Sequence, residues 1–185
     1  STWKGLKGKL WEISPVRNKI VDYEDLPLFL ASGSANADVE ADLVWIGDGR
    51  TMNLEGVDLT GKIGLTSGSL RNLGSLMQKG LLGLVSFESS RTLIDPLQIP
   101  TGGMRGSNGE GFAFRVPPRA GHVIRDRLIR GEKIRVHAEV EATKVELDIQ
   151  VPSCVIEGTE KGGEEVIICA HIFEGYVKQG ANDNI

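Results

Sequence analysis

The clearest hydrophobic pattern in the chain is the period-two alternation of EKIRVHAEVEA. Ile134, Val136, Ala138, Val140 and Ala142 alternate there with charged or polar neighbours, as in a strand with one buried face. A second alternation, Val145, Leu147, Ile149 and Val151, comes next in the opposite phase, so a bulge, bend or tight turn is expected at Thr143-Lys144. Short apolar runs predict further strands at Asp42–Ile46, closed by Gly47-Asp48-Gly49, at Lys62–Thr66 after the Thr60-Gly61 turn, within LLGLVSF, and at FAFRVPP. Trp3, Leu6, Leu10, Trp11 and Ile13 suggest a short strand or packed lead-in over residues 1–19.

Two segments carry the helical period instead. In SLRNLGSLMQKG, Ser69 is placed to cap, Leu70, Leu73, Leu76 and Met77 share a face, and Gly80 stands at the left-handed stop. In RAGHVIRDRLIRG, Ala120, Val123, Ile124 and Leu128 are expected inward, with Gly131 as the stop. Arg119, Arg125, Arg127 and Arg130, broken up by Asp126 and Glu132, read as its solvated face. A strand, the first helix and LLGLVSF in immediate succession imply a helix packed back across a sheet. The class is strand-rich α/β with two short helices. The change of pattern near residue 144 divides this compact module from a second one, which opens with the hairpin SCVIEGTEKGGEEVIICAH.

Composition narrows the function. A net charge of −4, with no basic stripe carrying interleaved aromatics, argues against nucleic acid as a partner. No apolar run approaches the roughly 18–20 residues of a membrane span. The chain opens at Ser1 without a methionine or signal-like segment and is expected to be a piece of a longer protein. Its two cysteines, Cys154 and Cys169, lack zinc-ribbon spacing. As neighbours on a tight hairpin they would bridge awkwardly, so two buried, reduced thiols are expected. The glycine-rich GGMRGSNGEG lacks the Gly-Lys-Ser/Thr ending of a phosphate loop. His122 and His137 have no acidic or cysteine neighbour at ligand spacing and read as structural. His171 differs, because it ends a buried-strand pattern and precedes the turn-prone, acidic Gly-Ala-Asn-Asp-Asn.

Two resemblances converge. VDLTGKIGL and SLMQKGLLGLVSF are similar to the strand and the helix–glycine–strand unit of a protease-associated domain, over residues 20–143. VIEGTEKGGEEVIICAH and GANDNI resemble the opening of the catalytic domain of co-catalytic zinc aminopeptidases, the family of bacterial leucyl aminopeptidases and glutamate carboxypeptidase, over residues 144–185. The resemblance implies a protease-associated β-sandwich or barrel with two short helices, followed by the first hairpin of an incomplete α/β zinc-peptidase domain. It implies a parent enzyme that uses two zinc ions and a metal-bound hydroxide to remove N-terminal residues from a peptide or protein substrate, the associated domain shaping access. His171 matches a ligand of one zinc and Asp183 the carboxylate bridging both, with the Asp183–Asn184 bond cis as in the family.

The family's orienting aspartate, two residues after the histidine, is replaced by Phe173, which leaves Glu174 as the candidate for that role or as an exposed loop acid. The alternative is a non-catalytic interaction module with a decayed metal site. The adjacent glutamate pair and the later acid and histidine of the family have no counterpart here. Two ligands fall below the three a catalytic zinc needs, so these residues alone are expected to hold no zinc tightly, to lack peptidase activity, and to leave the loop 173–185 mobile or held by a neighbouring chain in a crystal. Uncovered strand edges in the hairpin would favour artefactual self-association.

Overall fold

The computed structural model describes residues 2–47, 54, 57–68, 70, 73–87, 96–99, 103–104, 110–148, 151–158 and 166–169. The described elements are β1 (Thr2–Ser14), β2 (Asn18–Asp22), β3 (Ala37–Trp45), β4 (Ile63–Thr66), α1 (Leu73–Met77), β5 (Gly83–Ser86), β6 (Phe112–Arg115), α2 (Pro118–Ile129) and β7 (Arg135–Val145), with one 3₁₀ turn at Pro27–Phe29. The strands form one mixed sheet in the order β2-β1-β7-β3-β4-β5-β6. β2, β1, β7 and β3 are antiparallel neighbours, whereas β3, β4, β5 and β6 run parallel. This is the strand-rich α/β class expected from the pattern.

Burial explains why the two halves read so differently in sequence. β4, β5 and β6 are buried at every position, because a helix covers each face. Along these strands the side chains alternate between two apolar clusters. Ile63, Leu65, Val85, Phe112 and Phe114 face the layer holding Ile124 of α2. Leu84 and Ala113 face the layer of Leu70, Leu73 and Leu76 from the α1 segment. In the antiparallel half only one face is buried. Val136, Ala138 and Val140 point to the core, while Arg135 is exposed and His137 and Glu139 are half-buried on the outer face. That face carries cross-strand polar pairs: the ion pairs Lys7 with Glu139 and Arg135 with Asp42 at 3.4 Å, and a hydrogen-bond contact of His137 Nε2 with Asp38 Oδ1 at 2.7 Å. Such exposed pairs contribute only about 0–1 kcal/mol each.

Both expected helix stops form. Gly80, at φ 89°, donates its N–H to Met77 O, and Leu81 donates to Leu76 O; Gly131, at φ 84°, donates to Leu128 O, and Glu132 donates to Arg127 O. These paired bonds are Schellman closures, and only a residue without Cβ adopts that left-handed turn freely. The regular part of α1 spans only five residues, shorter than the expected Ser69–Lys79 span, of which Ser69 and residues 71–72 lie outside the described residues. On α2 the buried residues are Gly121 and Ile124, with Ala120 and Leu128 packed at the margin. Val123, expected inward, is 57% exposed. One residue before Ile124, it is rotated about 100° away from the face that Phe87 and the sheet cover.

Residues 2–14 form a thirteen-residue strand that pairs with β7 from Thr2↔Val145 to Ser14↔Arg135. No turn interrupts β7 at Thr143-Lys144; these residues pair with Lys4 and Trp3. The local irregularity lies across the ladder, between Gly5 and Lys7.

The chain divides after Glu146 into two units, Ser1–Glu146 and Leu147–Ile185. In the second, residues 151–158 and 166–169 are exposed and carry no strand, so the expected hairpin is not formed by its described residues. Val155, Ile156, Val166, Ile167 and Ile168 are each at least 80% exposed. An apolar run is buried only when another layer covers it, and no described residue does so here. Cys154 and Cys169 are free, as expected, but exposed and not buried, for the same reason.

Candidate functional site

His171, Asp183 and Glu174 lie outside the described residues, as do the Asp183–Asn184 bond and the loop 173–185. Among the described residues, no group of three or more His, Cys, Asp or Glu is positioned to hold a metal ion. His137 has an acidic partner after all, Asp38 on the neighbouring strand. A cross-strand pair of this kind is invisible to spacing along the sequence.

Within the first unit, polar side chains concentrate at the carboxyl ends of the parallel strands. The connection after β4 enters α1 on one face of the sheet, and the connection after β6 enters α2 on the other. In open α/β sheets, ligands bind outside the carboxyl ends of the strands, where connections diverge to opposite faces. Thr66, Ser86 and Arg115 stand there in one row, as register partners across β4, β5 and β6. They are buried, at 0%, 0% and 6% exposure. Thr66 Oγ1 donates to Gly47 O at 2.9 Å and accepts from Gly68 N at 3.0 Å, while Ser86 Oγ donates to Gly68 O at 2.7 Å. Both hydroxyls thus brace the turn that leaves β4. Burial lowers the Arg115 guanidinium to about 10, which still leaves it protonated at neutral pH. Beside the row, Phe87 is fully buried and packs against Trp45, at 5.9 Å between ring centroids, and edge-on against His122, at 5.1 Å. The arrangement is a largely buried polar and aromatic layer at the carboxyl ends of these strands.

A second polar constellation ties the two halves together. Glu12, at the end of β1, is 2% exposed, yet its two carboxylate oxygens accept from Arg127 Nη1 and Nη2 at 2.7 and 2.6 Å. Arg127 also donates to Glu132 through Nε at 3.0 Å and Nη2 at 2.5 Å. The two carboxylates, Glu12 first, raise Arg127 well above the ordinary arginine range, and Arg127 in turn holds Glu132 below the ordinary carboxylate range. Arg127, expected on a solvated face, is instead a clamp between helix and sheet. Its partner on β1 gave no local sequence signal.

No protein-family model matches the chain. No curated protein matches it either. Solved structures do. An aminopeptidase from Aneurinibacillus sp. strain AM-1 is similar over 76% of this chain and 32% of its own, at 20% identity and a TM-score of 0.57. A peptidase M28 precursor from Shewanella amazonensis SB2B matches over 76% and 35%, at 17% identity and a TM-score of 0.58. A zinc aminopeptidase from Bacillus subtilis matches over 76% and 32%, at 17% identity and a TM-score of 0.53. At these identities the likeness is one of fold. The chain spans about a third of the length of those solved chains. No described helix is long and apolar enough to cross a membrane.

Proposed function

We propose that the chain is part of a zinc-dependent exopeptidase that removes N-terminal residues from peptides. In this reading, residues 20–143 are a protease-associated domain shaping access to substrate, and residues 144–185 begin the catalytic domain. The observation that carries the proposal is Gly-Ala-Asn-Asp-Asn following a strand-like run that ends in Ala170-His171. The fold shared with two aminopeptidases and a peptidase precursor supports it.

The donor set fits zinc in kind, since imidazole nitrogen and carboxylate oxygen are both ordinary zinc ligands, but His171 and Asp183 fall short in number. When bound, zinc supplies Lewis-acid polarisation of the scissile carbonyl and a water that is acidic near neutral pH. His171 would offer one metal a neutral imidazole, and Asp183 an oxygen to each of two cations. Glu174 would orient His171 where the family has an aspartate two residues after the histidine, a position held here by Phe173.

Calorimetric titration of the 185-residue chain with zinc, beside an assay on amino-acid p-nitroanilides, tests the assignment. Weak or absent binding and no turnover are expected. Stoichiometric tight binding or metal-dependent turnover by this chain alone would show that the site is misassigned. The gene beyond Ile185 tests the enzymatic reading itself. An adjacent glutamate pair, then a distal acid and histidine, are expected there. Their absence would leave the non-catalytic interaction module, the reading that Phe173 favours.

A further inference from the structure

We draw no further inference here: the strongest candidate, the buried Thr66–Ser86–Arg115 row at the carboxyl ends of the parallel strands, belongs to the site already described, its hydroxyls brace the turn after β4 and nothing in the structure shows what ligand would meet it.

Discussion

Replacing Arg127 with methionine removes the guanidinium but keeps much of the side chain's volume and apolar stem. Glu12 would then keep its place, with a side chain only 3% exposed, and lose both charge-assisted bonds at once. Stranding one partner of a buried ion pair costs about 3–5 kcal/mol, because the carboxylate has given up water and receives nothing in return. For a domain whose whole stability is about 5–15 kcal/mol, that is a large share. At a urea slope of ~2 kcal/mol/M, a loss of ~4 kcal/mol moves the unfolding midpoint down by ~2 M.

The opposite truncation, Glu12→Leu, should cost less, about 1–2 kcal/mol. Arg127 keeps Glu132 and lies near the surface, at 19% side-chain exposure. The double variant Glu12→Leu/Arg127→Met replaces the pair by apolar groups and should recover most of the loss. Trp3, Trp11 and Trp45 all lie in the first unit, so tryptophan fluorescence reads its unfolding directly. A midpoint shift for Arg127→Met under ~0.3 M, or a double variant as unstable as the sum of the singles, would refute the clamp.

Gly121→Ala builds a Cβ 2.0 Å from Phe87 Cγ inside the core, so it should destabilise by about 1–3 kcal/mol or more in the same urea assay. Gly131→Ala meets no atom within 4 Å and incurs only the strain of φ 84°, about 1–2 kcal/mol; the reverse ranking would contradict the packing described. Glu132 is depressed in the folded protein, chiefly by its bond to Arg127, so its contribution is fully present above the ordinary glutamate value of 4.5. It should fade as pH falls through the lower folded value, and Glu132→Gln should flatten that part of the acid limb in thermal melts. Cys154 and Cys169 should both react promptly with a thiol reagent in native buffer, and slow labelling of either would show that it is covered.

How legible the fold was depends on which faces are buried. β7 declared itself because one face is buried and the other charged, so that Val136, Ala138 and Val140 alternate with Arg135, His137 and Glu139. Gly80 and Gly131 were legible because a left-handed stop has few chemical solutions. β1 was legible only as a short strand or packed lead-in, not as a thirteen-residue strand, because its inward positions beyond the irregularity are Gly8, Leu10 and Glu12. Leu30 packs where the side chain of Gly8 would be, and Arg127 makes Glu12 buriable, so only one of the three is apolar. Both compensations come from distant segments. In the second unit the error ran the other way. Val166, Ile167 and Ile168 have strand propensity, but propensity does not supply the layer that buries a strand. The candidate ligands His171 and Asp183 rest on the strand-end pattern and the family resemblance, since two residues twelve apart carry no geometry of their own, and they lie outside the described residues.

Thr2 and Val145 are opposite one another in the antiparallel ladder, so the first unit begins and ends at one place. Paired residues of this kind have Cα atoms about 4.5–5.5 Å apart. Topologically the unit is almost a ring, with nearly all of its residues strung between two neighbouring points. A polypeptide carrying it between two of its own residues would need to hold those residues only that far apart. The carrier would then bear about the closure entropy of a short turn, however many residues the unit contains, because the β1–β7 ladder has already closed the loop. The same adjacency makes the point of entry arbitrary. A short linker across Thr2 and Val145 would let the chain be opened at another exposed turn with every strand neighbour preserved.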